Sequence, residues 1–327
     1  DDIARHDVPA LIQEVLAISG KPQVHVVAHC IGSAMFCMSA LGGHLQTRGK
    51  PLVASAVLMQ VGPLVQLPYA SRARAFVAMR LRQIVGAAEA HSVASQDVSD
   101  TEALMDRIFG TYLYPKDQRA FYQLTDDLAK NTARVNANRS AAIFGQLFQY
   151  ENMTPDLLAA LPDLLGSCNL TTYEQTAQYA YEHRLTNQSG DDAYVSAERL
   201  QRHFKFPVTL VHGECNQTFD IRTLERNERL FRQAGVAFAP RVVPGFGHLD
   251  CVVGKTADKA VFPLIAGHLQ STGGLAACGF TKVKEGMEVD IYLPRVGPWL
   301  GHVRPSPRVP DAITLRLGLR IDQLGRS

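Results

Sequence analysis

The sequence predicts an α/β protein: a parallel sheet, a helical insertion over the carboxyl edge of that sheet, and a short β tail. Three observations carry this expectation. Short β-branched runs alternate with amphipathic helices up to residue 63 and again from 201 to 272. The interval 64–200 offers helix patterns and no convincing strand. Beyond 272 the chain turns Pro- and Gly-rich and ends in a strictly alternating stretch. Strands joined by helices require crossovers, and crossovers make a parallel sheet covered on both faces.

The elements follow in order. Val8, Leu11, Ile12, Val15, Leu16 and Ile18 form a helical stripe over 8–19. Asp7 is suited to cap its start, Pro9 to sit in its first turn and Gly20 to end it. QVHVVAH (23–29) reads as a buried parallel strand, and SAMFCMSALGGHL (33–45) as the helix after it. VASAVLMQ (53–60), FPVTLVHG (206–213) and RVVPGFG (241–247) are three more strands; RTLERNERLFRQAG supplies the helix between the last two. The insertion has helix patterns at about 68–85, 101–110, 116–131, 136–150 and 173–184. In AITLRLGLRID, Ile313, Leu315, Leu317, Leu319 and Ile321 face one way, as in a half-buried antiparallel strand opening a β module. The domain expectation is core 1–63, helical cap 64–200, core 201–272, and linker with β module 273–327.

Composition narrows the function classes. The chain has 327 residues, 46% hydrophobic and 20% charged, with a formal net charge of +2. Near-neutral charge without a basic run argues against nucleic acid. No apolar run reaches the ~18–20 residues of a membrane span. The six cysteines contain no C-x-x-C pair, which disfavours zinc and, in a chain of this length, points to reduced thiols and a cytoplasmic setting. The charged start, DDIARHDVPAL, does not read as a signal peptide; it lacks Met and reads as the continuation of a longer chain.

The chemistry concentrates at VHVVAHCIGSAMF (24–36). A nucleophile elbow is a strand, a strained turn and a helix, with small residues two before and two after the nucleophile. Here Ala28-x-Cys30-x-Gly32 fits that frame, with Cys in the place of Ser. A helix N-terminus lowers a cysteine pKa, and the N–H of Ile31 is placed to supply half of an oxyanion hole. The opposite reading is a small buried Cys at a tight junction. A base is expected after the last strand, where VVPGFGHLDCVVG puts His248 in a Gly-flanked turn. The orienter is expected after the third strand, in VHGECNQTFD, three residues past Gly213: Asn216, with Glu214, Asp220 and Asp250 as nearby acids that could substitute. Cys for Ser and Asn for Asp are mutually consistent, because a thiolate–imidazolium pair needs only an amide oxygen to orient its ring.

These segments resemble the α/β-hydrolase superfamily. VVAHCIGS, VHGECNQTF and PGFGHLDCVVGKTADKAVFPLIAGHL occur in that family's order, and the last is similar to the acid-lipase branch. The A-H-C-x-G-S turn with H-G-x-x-N looks like the hydrolase segment fused to cholesterol-oxidase-like glucose–methanol–choline oxidoreductases. The resemblance implies Cys30 as nucleophile, His248 as base and Asn216 in the orienter position. It also implies that the four strands are strands 5 to 8 of the family's eight, the C-terminal half of its sheet. An N-terminal segment of the same protein would then supply the rest. No cofactor is implied in this segment, and FAD only in a fused upstream module. Polyhydroxyalkanoate synthases share the fold and a C-I-G run, which keeps a Cys-dependent acyltransferase as an alternative; a non-catalytic hydrolase-like module of a flavin-dependent oxidoreductase is another. Apolar residues Ile143, Phe144, Leu147, Phe148 and Tyr150–Met153 could line an acyl pocket or simply form core. The expected reaction is hydrolysis or acyl transfer on a small or lipid-like ester or thioester.

Overall fold

A computed structural model describes residues 1–68, 71, 72, 75, 76, 79, 89–91, 145–157, 167–273, 288–293, 297–305 and 313–319. The helix patterns at 101–110 and 116–131, most of those at 68–85 and 136–150, and the side chains of Ile143 and Phe144, lie outside the described residues. The chain divides into two units, Asp1–Gly274 and Leu275–Ser327.

The first unit is built on four strands. They are β1 (Val24–His29), β2 (Val53–Met59), β3 (Val208–Gly213) and β4 (Phe238–Val243), all parallel and adjacent in chain order. Helix α1 (Val8–Ser19) precedes β1 and α2 (Ile31–Leu41) follows it. Then come α3 (Leu170–Tyr181), α4 (Ala197–His203) and, after β3, α5 (Arg222–Gln233). The short helices α6 (Asp250–Val253) and α7 (Ala257–Ala260) and the longer α8 (Phe262–Ser271) close the unit. This is the expected α/β parallel sheet with flanking helices.

The core explains why β2 reads as an unbroken apolar run. Successive side chains of a strand point to opposite faces. Ala56, Leu58, Val208 and Leu210 pack on one face with the side chains of α1, α2, α4 and α5. Val57, Met59, Val211 and Val243 pack on the other with Cys251, Ala257 and Val261. A strand covered on both faces has no polar position to spare.

Gly20 ends α1 in the left-handed conformation, at φ 64°. Asp7 does not cap that helix: it is itself helical, because Ile3–Asp7 form a π turn that runs straight into α1. β4 begins three residues earlier than its apolar pattern suggests, and Pro240 sits inside it. A proline removes a ladder donor, which an edge strand tolerates, and β4 is an edge of the sheet. Inside the insertion, Glu89–His91 and Ser167–Asn169 pair antiparallel, three residues each and without an alternating pattern to announce them.

The other edge is β1. Val27 is 47% exposed there, and Leu11 and Ile18 of α1 are 66% and 63% exposed. A groove of about 420 Å³ runs between them, lined by Leu11, Val15, Val24, Val26 and Phe36 among others. A larger cavity of about 510 Å³ lies at the amino ends of β3 and β4, far from the strand ends where the elbow sits.

The second unit is an antiparallel sheet of β5 (Glu288–Leu293), β6 (Gly297–Pro305) and β7 (Ile313–Leu319), with β6 in the middle. The alternating stretch at the end of the sequence is β7.

Candidate active site

Cys30 is the residue between β1 and α2, and its backbone is strained, at φ 54° and ψ −122°. A side-chain-bearing residue in this region costs of order 1–3 kcal/mol and persists only where its surroundings hold it. Two bonds do so. The Cys30 N–H donates to the Met59 carbonyl at 3.1 Å, and its carbonyl accepts from the Ala34 N–H at 3.1 Å. Ser33, one turn into α2, donates to the Val61 carbonyl at 2.5 Å and ties the helix start to the end of β2. The small residue at Gly32 has no steric reason among the described residues: a Cβ there meets nothing within 4 Å, since it faces the open side of β1.

The thiol is not depressed as a helix N-terminus alone would have it. Burial pushes the Cys30 pKa up to about 11, while the Ile31 N–H beside the sulfur pulls it down by less. Desolvation of the thiolate therefore outweighs the helix terminus. Cys251 is pushed up to about 12 by the same cause.

His248 and Asn216 are brought together. Asn216 Nδ2 lies 3.2 Å from His248 Nδ1, and both side chains are buried. The ring of His248 packs near that of Phe219, with centroids 5.8 Å apart. His248 Nε2 has no hydrogen-bond partner among the described residues, Cys30 included. Burial, then the neighbouring His29 and His212, holds the His248 pKa well below the usual imidazole range. The nearby acids are engaged elsewhere. Glu214 accepts from the Gly245 N–H at 3.0 Å; Asp220 is held by Arg222 at 2.7 and 2.9 Å. Asp250 accepts from the Gly247 N–H at 2.9 and 3.0 Å and from Asn152 Nδ2 at 2.6 Å.

Asn216 meets the ring with its nitrogen, where an amide oxygen is expected. Its Oδ1 accepts from the Thr218 and Phe219 N–H groups at 2.9 and 3.0 Å, an Asx turn that orients the carboxamide.

Sequence reasoning missed two parts of the site, and for a third, which holds Leu147, Phe148 and Tyr150–Met153, it expected only pocket lining or core. Gln60, directly after β2 and at φ 69°, is fully buried and bonds in four directions. Its Oε1 accepts from the Gly213 N–H at 3.0 Å and from Asn216 Nδ2 at 2.9 Å. Its Nε2 donates to the carbonyls of Gly247 and His248 at 3.2 and 3.1 Å. A polar residue closing an otherwise apolar strand, LMQVGP, was the available signal. His29 donates from Nε2 to the His248 carbonyl at 3.0 Å, with the two rings 4.8 Å apart. The third part is the segment 147–152, which grips the His248 loop. The N–H groups of His248 and Leu249 donate to the Leu147 carbonyl at 3.1 and 2.6 Å. Gln149 Nε2 donates to the Cys215 carbonyl, 3.1 Å, and Asn152 Nδ2 to that of Gly245, 2.9 Å. Phe148 and Met153 are buried against Leu249 and Val253 in a small apolar cluster. Gly213 is required where this loop crosses β3, since a Cβ there would overlap the Gly247 carbonyl.

No protein-family model matches the chain, and no curated protein matches it. Solved structures similar to it include a thermostable carboxyl esterase of Bacillus coagulans, 11% identical with a TM-score of 0.46, over 82% of this chain and 71% of that one. A monoacylglycerol lipase of Paleococcus ferrophilus is 13% identical with a TM-score of 0.42, over 81% and 74%. A thermophilic esterase of Thermogutta terrifontis is 12% identical with a TM-score of 0.38, over 81% and 72%. The class this chain's own geometry defines is an α/β protein with a strained cysteine turn and a buried His–Asn pair at the carboxyl ends of its sheet. No group of His, Cys, Asp or Glu among the described residues could hold a metal ion, and no helix among them is long and apolar enough to cross a membrane.

Proposed function

We propose that this chain is the nucleophile-bearing half of an α/β-hydrolase, acting by acyl transfer on an ester or thioester with an apolar acyl group. One observation carries the reading: the strained backbone of Cys30 between a strand and a helix, the geometry a nucleophile elbow requires. The Cys30 sulfur attacks the acyl carbon, and the Ile31 N–H receives the developing oxyanion. His248 is the proton carrier between sulfur, leaving group and incoming water, and Asn216 sets its ring. The thioester formed on Cys30 is then released to water or to another acceptor. The apolar cluster of Phe148, Met153 and Leu249 beside His248 supports an apolar acyl group. The exposed edge of β1 supports a further segment of the same protein completing the sheet and the oxyanion hole.

The test is acyl-enzyme capture. The full chain is treated with p-nitrophenyl esters and acyl thioesters of increasing length, and its peptides are weighed by mass spectrometry. An acyl adduct on the peptide carrying Cys30, absent in Cys30→Ala, is the expected result; no adduct at any acyl length refutes the reading. One observation favours a second reading, a non-catalytic module of a larger protein: the thiol is raised to about 11, and His248 Nε2 has no partner among the described residues. That reading expects Cys30 to label no faster than the other cysteines.

A further inference from the structure

We infer that Gln60 and Asn216 lock His248 in a single tautomer, with the proton on Nε2 and the lone pair on Nδ1. The inference rests on the proposed role of His248 as proton carrier, and it changes what that residue does at rest.

The lock is built from hydrogen-bond directions. Asn216 Oδ1 faces two backbone N–H groups, those of Thr218 and Phe219, and can only accept. The amide nitrogen is therefore the end that faces Gln60 and His248. Gln60 agrees with this orientation from the other side. Its Oε1 takes one N–H of Asn216 and that of Gly213, while its own nitrogen faces the carbonyls of Gly247 and His248. Turning either carboxamide over sets oxygen against oxygen at one end and donor against donor at the other. With an N–H aimed at it from 3.2 Å, His248 Nδ1 must be the acceptor. A neutral imidazole that accepts at Nδ1 carries its proton on Nε2.

This has a chemical consequence. A ring with a proton on Nε2 offers a donor there and cannot take a proton from a thiol at that atom. Protonating it fully would set an Nδ1–H against the Asn216 amide, so the thiolate–imidazolium pair is opposed by the same lock. The two depart from a Ser-His-Asp site together: Asn216 supplies a donor where a carboxylate would accept. Gln60 and Asn216 are thus positioning residues that hold the resting thiol neutral. Attack by Cys30 waits for the Asn216 carboxamide to turn, at the cost of its Asx turn.

The experiment reads the tautomer directly. The full chain is labelled with ¹⁵N-histidine and the ring nitrogens are assigned by long-range ¹H–¹⁵N correlation, with His248→Gln identifying the resonances. In the unaltered protein at pH 7 the expected result is a neutral ring with Nε2 protonated and Nδ1 bare. An Nδ1–H ring, or an imidazolium, overturns the lock without need of any folded variant. Asn216→Asp provides the second arm. Its carboxylate can accept from Nδ1–H, so the tautomer should switch and alkylation of Cys30 should rise by about tenfold or more as the thiolate becomes accessible. An unchanged tautomer in the folded variant overturns the inference. An Nε2–H ring without any acyl adduct on Cys30 retires the proposed reaction and keeps the lock; an acyl adduct with an Nδ1–H ring does the reverse.

Discussion

Replacing Gln60 by leucine should destabilise the protein by about 3 kcal/mol, a figure that follows from the partners it would orphan. The Gly213 N–H loses the acceptor that Gln60 Oε1 provides. Asn216 Nδ2 loses one of its two acceptors and keeps His248. The Gly247 and His248 carbonyls each lose a donor, but Cys251 still reaches Gly247 and His29 still reaches His248. One fully orphaned buried donor costs about 1–3 kcal/mol, and three weakened groups about 0.5 each. Leucine nearly matches glutamine in volume, so no large cavity adds to the sum. Urea unfolding of the two full chains, followed by far-UV circular dichroism, gives the difference at constant slope. A loss under about 1 kcal/mol would mean that water or a backbone shift satisfies these groups, and that the amide chain does not hold the site together.

Four further outcomes follow from the geometry. Alkylation of Cys30 by iodoacetamide should climb about tenfold per pH unit from pH 7 to 10, since its thiol titrates near 11; a plateau below pH 9 contradicts the buried thiol. Gly32→Ala should stabilise the chain by about 0.4–1 kcal/mol in thermal melts, because its Cβ meets nothing and a helical alanine has less freedom to lose on folding; a lower melting temperature would contradict the open space. Gly213→Ala should break the site, its Cβ displacing the His248 loop, and a melting temperature equal to that of the unaltered chain would disprove the close crossing. Acid should destabilise the fold through His212, whose burial lowers its pKa from 6.5 to about 4. That group's stabilisation is complete above pH 6.5 and lost as pH falls toward 4, about 3 kcal/mol in all. His212→Gln should flatten the slope of stability with pH in that window.

What was legible in the sequence is what packing and backbone strain write locally. β2 and β3 declare themselves because both faces are buried, and the Cys30 turn because small residues flank it; β1 reads as buried too, yet it lies at an open edge with Val27 exposed and His25 and His29 on the same face. β4 hides its start behind Pro240, which only an edge strand can carry. The amide lock hides for a different reason. Gln60, Asn216 and His248 are far apart in the chain, and nothing local says which end of a carboxamide faces a ring. The sequence pattern points to the residue types and their order, while the sign of each hydrogen bond depends on neighbours such as the Thr218 and Phe219 N–H groups.

The grip of residues 147–152 on the His248 loop makes that segment and the imidazole one mechanical part. His248 hangs by its own N–H from Leu147, and Asn152 clasps both Gly245 and Asp250. Any shift of the Leu147 backbone would be passed through these bonds to His248, and so to the contact of its Nδ1 with Asn216.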